Sequence, residues 1–322
     1  MFRILFVVVK AFISISIRRI LHGPTDASWS WRLEWIVATQ RVGLTEMLRM
    51  EPARMRALSA RLPGGMSSQL VFEQVDLGGV PAARHDVPGR DPDRFLLYIH
   101  GGGYAGGSSE THLDITSSLT IGANARTWSL DYRLAPEDPF PAAPDDVLAA
   151  YRALLDEGVD PARLVVAGDS AGGALVLVLL IRLRDEGLPL PAAGVLISPA
   201  PDLEFPGKSW LTNRDTDYIT TEHIETWIGH YLGGRDRRHP FASPIHAELA
   251  GLPPLLVQAG GGECLYDEIV ALVDKLGSAS VDTTFSVYPA MPHVWHLFRT
   301  LLPEAQRAID EISAYLRERV PS

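Results

Sequence analysis

The sequence predicts an α/β protein in which a mostly parallel central sheet carries helices on both faces. Two observations predict it. Short runs rich in β-branched and aliphatic residues recur along the chain, each bounded by Gly, Pro or Asp, and segments of helical period lie between them. Strand and helix in repeated alternation require crossover connections, which build parallel sheets buried on both sides. In order, the strand-like runs are residues 70–75, 95–99, 127–130, 164–167, 194–197, 255–258 and 284–288. The helical stretches are 145–155, 173–185, 267–276 and 304–316; in the first, Val147, Leu148, Tyr151, Leu154 and Leu155 share one stripe. Pro144 with Asp145 and Asp146 marks a helix start, and Gly158 a stop.

Two stretches stand outside the alternation: residues 1 to about 65, with Trp29, Trp31 and Trp35, and about 203–245, with Trp210, Tyr218, Trp227 and Tyr231. Both read as helical, and their aromatic spacing suits either core packing or a cap over a cleft. The first twenty residues are strongly apolar, with Arg3, Lys10, Arg18 and Arg19 around and within the run. Lys10 interrupts it too early for a spanning helix, and no small-residue cleavage site follows. The preferred reading is a helix packed on the protein's own body; contact with a membrane surface through residues 1–20 is the alternative.

The remaining composition narrows the function. At 322 residues, with 46% hydrophobic and 21% charged residues, the chain is an ordinary globular protein. Its 29 basic against 39 acidic residues leave a formal charge of −10, and no basic block occurs, so a nucleic-acid partner is not expected. Cys264 is the single cysteine. It excludes a disulfide within the chain and cysteine-based metal centres, and it reads as a small buried filler. A cytoplasmic location is expected, with the membrane surface as the alternative site and a homodimer left open.

The chemistry centres on Gly168-Asp169-Ser170-Ala171-Gly172, a G-x-S-x-G run placed between a strand-like and a helix-like segment. That is the context of a nucleophile elbow: a serine forced into a strained turn, tolerable where glycines flank it, with its hydroxyl exposed beside a helix N-terminus. The bland alternative is a connector that needs small residues for packing. A second signal, His100-Gly101-Gly102-Gly103-Tyr104, follows the run 95–99; bare glycine N–H groups suit the stabilisation of a tetrahedral oxyanion. Gly101, Gly103 and Gly106, with Asp131 further on, also spell a dinucleotide fingerprint. That reading ignores His100 and the serine, so no cofactor is expected.

A nucleophilic serine needs a base, and the base an acid. The loop after 255–258 carries Glu263 and Asp267, and the loop after 284–288 carries His293 and His296. His293, nearest its strand end, is read as the base and His296 as a packing residue of the following helix. Glu263 comes earliest in its loop and is read as the acid; Asp267 is read as opening the next helix and stays the alternative. No metal is expected, since the two histidines lack a third ligand.

His100-Gly101-Gly102-Gly103, Tyr132-Arg133-Leu134-Ala135-Pro136-Glu137, the Ser170 pentapeptide, Ser198-Pro199 with Asp202-Leu203, and Met291-Pro292-His293 together resemble the bacterial hormone-sensitive-lipase-like esterases of the α/β-hydrolase fold. The resemblance runs from about residue 70 to the C-terminus. It implies a serine carboxylesterase acting on short-chain acyl esters, with the N–H groups of Gly102, Gly103 and Ala171 as oxyanion donors. It also implies that residues 1–65 and about 203–245 form a cap on a catalytic domain spanning 66–322. His100 is read as orienting the glycine loop, with Gly101 and Asp169 supporting the site. Many members carry Asp-Pro-Leu-x-Asp where this chain has Glu263-Cys264-Leu265-Tyr266-Asp267. The stretch 251–298 also looks like the acetyl hydrolase and monoterpene lactone hydrolase branch. A lactone hydrolase with the same machinery, and a ligand-binding protein on a hydrolase scaffold, are the competing functions.

Overall fold

The computed structural model describes residues 2–59, 69–92 and 94–321. The chain opens with three helices, α1 (Phe2–His22), α2 (Trp31–Met47) and α3 (Pro52–Ser59). The sheet and its helices follow as β1 (Val71–Leu77), β2 (Val80–Asp86), β3 (Arg94–Ile99), α4 (Leu113–Ala123), β4 (Ala125–Leu130), α5 (Ala142–Asp156), β5 (Leu164–Asp169), α6 (Ala171–Asp185) and β6 (Ala193–Ile197). Then come α7 (Ser209–Thr212), α8 (Thr221–Leu232), β7 (Leu255–Gly260), α9 (Tyr266–Ser278), β8 (Thr283–Tyr288) and α10 (Pro303–Arg319). In space the strands run β1-β2-β4-β3-β5-β6-β7-β8. β2 pairs antiparallel with β1 and β4, and every other pairing is parallel. This is the α/β-hydrolase fold.

The strand runs expected from composition are all present, each a residue or two longer. Two elements are additions. β2 is joined to β1 by Gly78 and Gly79, both at positive φ (66° and 88°), a two-residue turn whose twist matches that of the strands. α4 is rich in Ser and Thr and buries Ile115, Leu119 and Ala123 along one stripe. The start of α5 needs correction: the helix begins at Ala142, and Pro144 sits inside its first turn, where a missing N–H costs no hydrogen bond. Between 203 and 245 only α7 and α8 are α-helical, and the remainder is turn and loop up to a 3₁₀ turn that starts at Pro244. The expected division at residue 65 lies outside the described residues.

The core divides by strand alternation. Leu97, Ile99, Leu164 and Val166 point into a cluster with α5, α6 and α9, while Leu96, Tyr98, Val165 and Ala167 point to α4 and α10. α6 is apolar all round and buried from Ala171 through Ile181, the pattern of a helix enclosed on all sides. Truncating a leucine there costs about 2–5 kcal/mol.

The N-terminal helices attach to this body by long-range contacts. Trp29, Leu33, Ile36 and Val37 pack with Tyr218, Ile219, Met291 and Trp295, and Trp29 Nε1 donates to the Ala290 carbonyl at 2.7 Å. α1 packs on α2 through Phe12 against Trp35 (ring centroids 4.5 Å) and through Arg18 and Arg19, both paired with buried Glu34. Its other face leaves Phe6, Val9, Ile13, Ile17 and Ile20 exposed. Among the described residues no helix is long and apolar enough to cross a membrane.

Candidate active site

β5 ends at Asp169 and α6 begins at Ala171, so Ser170 alone makes the turn, at φ 53° and ψ −120°. Such a conformation survives only when its surroundings over-determine it. The Ser170 N–H donates to the Ile197 carbonyl at 2.8 Å, and its own carbonyl accepts from Ala174 and Ala200. The flanking glycine is demanded by close approach: a Cβ on Gly172 would lie 2.0 Å from the Ile99 carbonyl oxygen. The pentapeptide is thus the meeting point of β3, β5 and α6, and its hydroxyl faces the carboxyl end of the sheet.

Two further strand-end loops converge on that hydroxyl. His293, beyond β8, brings Nε2 to 2.8 Å from Ser170 Oγ, and its Nδ1 lies 2.8 Å from Glu263 Oε2. With a carboxylate at Nδ1, the proton belongs on that nitrogen and Nε2 is left as the acceptor. Glu263 is fully buried; its Oε1 accepts from the Gly260 N–H at 2.6 Å and from the Ser198 hydroxyl at 3.2 Å. Burial works against a protonated His293. The hydrogen bond and charge of Glu263, with Asp217 and Asp169 farther back, outweigh it and hold the imidazole pKa above the ordinary histidine value. Asp267 lies in the first turn of α9 and accepts from the Ser209 N–H at 3.0 Å. His296 sits in a 3₁₀ turn before α10, hydrogen-bonded to Gln258 at 2.8 Å.

The glycine loop after β3 forms the opposite wall. Gly102 and Gly103 have φ of 117° and 61°, and a Cβ on Gly103 would meet the Trp227 ring at 2.6 Å. Among the described residues none accepts a hydrogen bond from the N–H of Gly102, Gly103 or Ala171. Asp169 ties this loop to the elbow. Its Oδ1 accepts from the Gly101 N–H at 3.1 Å and the Tyr98 hydroxyl at 2.8 Å, and its Oδ2 lies 3.3 Å from His112 Nε2. Burial opposes the Asp169 charge, but the charge and hydrogen bond of His112 prevail and bring its pKa down to about 2. His100 Nδ1 donates to the Gly101 carbonyl at 2.7 Å while its ring stacks on Tyr132 at 4.4 Å. Burial, with the charge of His112, pushes the His100 pKa down to about 4, leaving it neutral near pH 7. Asp131, the acid of the dinucleotide pattern, accepts from the N–H and hydroxyl of Ser109.

Three participants have no local signal in the sequence. His112 lies beyond the glycine motif, Ser198 belongs to a quoted motif that announces no role, and Asp217 falls in the 203–245 stretch. Each acts across a long sequence separation, which neither spacing nor periodicity records. Cys264 is buried, with its thiol facing the Ile219 carbonyl.

A cavity of about 320 Å³ opens on Ser170 and His293, walled by Gly102, Gly103, Tyr218 and Trp227, with Leu44 of α2 at its edge. Beyond Trp227 a pocket of about 20 Å³ also reaches Ser170, lined by Ala200, Leu203, Phe205 and Ile224. Phe205 and Ile224 separate it from an outer hollow of about 140 Å³.

A family model described as alpha/beta hydrolase fold matches residues 96–297. An acetyl-hydrolase from Streptomyces hygroscopicus is 47% identical over 231 residues, 71% of this chain and 77% of that protein. A carboxylesterase from Mycobacterium tuberculosis is 31% identical over 86% of this chain and 91% of its own length. The crystal structure of an esterase from the bacterial hormone-sensitive lipase family superposes with a TM-score of 0.86 at 42% identity, over 91% of this chain and 99% of that one. The chain belongs to the bacterial hormone-sensitive-lipase-like esterases of the α/β-hydrolase fold and is a carboxylic-ester hydrolase.

Proposed function

We propose that the protein hydrolyses short-chain acyl esters through an acyl-enzyme on Ser170, with His293 as base, Glu263 as its acid partner, and the N–H groups of Gly102, Gly103 and Ala171 as oxyanion donors. The observation that carries this reading is the unbroken relay from Glu263 Oε2 through His293 to Ser170 Oγ, both steps 2.8 Å, beside three N–H groups with no acceptor among the described residues. Ser170 Oγ attacks the acyl carbon as its proton passes to His293 Nε2. The negative charge that develops on the carbonyl oxygen is taken up by the glycine loop and the start of α6. The tetrahedral intermediate collapses, the C–O bond to the alcohol breaks, and the leaving alkoxide takes the proton from Nε2. Water then repeats the cycle: His293 takes one of its protons, the hydroxyl oxygen attacks the acyl carbon, and Ser170 leaves protonated. Glu263 stays ionised throughout, fixing the tautomer and balancing the imidazolium.

Size supports the substrate class. The pocket of about 20 Å³ beside Ser170 has room for about one water-sized group, such as the methyl of an acetyl group, and the cavity of about 320 Å³ suits the alcohol portion. In this reading the described residues 2–59 and 203–245 are the cap: Leu44 and Trp227, one from each stretch, border the cavity. Hydrolysis of p-nitrophenyl acetate, butyrate and octanoate tests the proposal. Acetate and butyrate are expected to turn over fastest; absence of turnover on every ester would leave the scaffold as a ligand-binding protein, and preference for cyclic esters would make it a lactonase.

A further inference from the structure

Resting on the reading of Ser170, His293 and Glu263 above, we propose that Asp217 is a positioning residue: a buried carboxylate on the segment between α7 and α8 that holds the His293 and Glu263 loops together and sets the electrostatic environment of the base. Asp217 is wholly inaccessible to solvent. Its Oδ1 accepts from the backbone N–H of His293 at 3.1 Å and of Tyr218 at 2.8 Å, and its Oδ2 accepts from the backbone N–H of Cys264 at 2.7 Å. One side chain therefore grips the backbone of the base and of the residue next to the acid. Burial pushes the Asp217 carboxyl above the ordinary carboxylate value, and the charge of His293 with the N–H groups of Cys264, His293 and Tyr218 works against that rise in favour of the ionised form. A neutral group would have served for packing alone.

The same segment makes further ties that carry no charge to the acid loop. The Asn213 side-chain amide donates to the carbonyls of Gly261 at 3.2 Å and Glu263 at 2.9 Å, and the Thr216 hydroxyl to that of Gly262 at 2.8 Å. From α2, Arg41 Nε donates to the Asp217 carbonyl at 3.1 Å. The segment also supplies Tyr218 and Ile219 to the wall of the large cavity. It is the piece of the molecule that touches both late loops, the N-terminal helices and the cavity at once.

The charge gives Asp217 a role distinct from its neighbours. The titratable groups facing His293 are Glu263 at Nδ1, Asp217 at its backbone, Asp169 behind Ser170, His296, and Tyr218, whose ring centre is 6.4 Å away. Around Asp217 itself stand His293, Tyr218, Cys264 and Glu263, with Arg41 on its carbonyl. Of the groups near His293, Glu263, Asp217 and Asp169 all favour its protonated form. Removing the Asp217 charge lowers the pKa of the base, so the acid limb of kcat/KM moves to lower pH.

The test is Asp217→Asn in the full chain, assayed with p-nitrophenyl acetate across pH, beside Asn213→Ala, which cuts the two hydrogen bonds of the same segment to the acid loop without changing charge. Expected for Asp217→Asn is a kcat lower by about 10–100-fold, the range for residues that orient a reactive group through an intermediary, with KM within about twofold. The acid limb should be displaced downward in Asp217→Asn and unmoved in Asn213→Ala. An unmoved limb in Asp217→Asn, or the same displacement in both, overturns the proposal. If Asp217→Asn does not fold, Asp217→Ser is judged by the same criterion. Labelling the wild type with a serine-directed organophosphonate separates the two levels. Loss of labelling at Ser170 would sink the reading beneath, whereas a labelled wild type with an unaltered Asp217→Asn profile sinks the role of Asp217 alone.

Discussion

The loops at the carboxyl ends of β3, β5, β7 and β8 and the helices laid over them are built on different principles. The loops are held by backbone hydrogen bonds and buried charges: Asp169 on the Gly101 N–H, Glu263 on the Gly260 N–H, Ser170 on the Ile197 carbonyl. The overlying regions attach mainly through apolar side chains such as Trp29, Leu33, Tyr218 and Trp227. Hydrogen-bonded loops preserve sub-ångström geometry, as acyl transfer requires. Apolar contacts tolerate a change of shape at modest cost, as a change of substrate requires. Chemistry and selectivity are accordingly separable in this molecule, with the segment carrying Asp217 as the joint between them.

Substitutions in the loops carry the largest expected effects. Glu263→Gln is expected to lower kcat by about 10³–10⁴, because the imidazolium loses its counter-charge and the tautomer its anchor. Asp267→Asn, one turn away and bonded to Ser209 instead, is expected to stay within about tenfold of wild type. Steady-state kinetics on p-nitrophenyl acetate check both, and the reverse order would transfer the acid to Asp267. The sign of the pH dependence follows from the raised His293 pKa. Attack needs the neutral imidazole, so kcat/KM falls as pH drops through a value above the ordinary histidine one, and Glu263→Gln moves that limb to lower pH along with its loss of rate.

How far the sequence was legible follows the same division. The Ser170 turn was readable because its glycine is required by a backbone approach that any chain making this turn must satisfy. The convergence of Glu263 and His293 on Ser170 was readable because late strand ends in an alternating chain leave few loops that can reach it. β2 escaped notice for want of β-branched residues, although Gly78-Gly79 was a hairpin signal. α4 escaped because its Ser and Thr content masks a stripe of only three buried apolar residues and His112 makes no side-chain cap. The tie from Arg41 to Asp217, like the pairing of His112 with Asp169, joins residues that no local pattern connects.

Substitutions in the overlying regions are expected to have smaller effects. Ile224→Ala removes part of the wall between the pocket of about 20 Å³ and the hollow of about 140 Å³. The octanoate-to-acetate ratio of kcat/KM is expected to rise about tenfold, in keeping with the worth of a methylene or two in an apolar pocket; an unchanged ratio would place the acyl chain elsewhere. The smallest effect on turnover is expected on α1. Its exposed stripe contains Lys10 and no acidic residue, and the membrane-surface alternative for residues 1–20 is tested there. Replacing Ile13 and Ile17 by Asp is expected to reduce sedimentation with vesicles containing phosphatidylglycerol while leaving hydrolysis of soluble esters within about twofold. Equal sedimentation would remove the membrane-surface reading of that face.

Mass spectrometry of the organophosphonate-treated protein tests the central claim most directly. A single adduct on the tryptic peptide containing Ser170 is predicted, lost together with esterase activity in a folded Ser170→Ala variant. An adduct on another residue, or Ser170→Ala retaining wild-type turnover, would contradict the assignment of Ser170 as nucleophile.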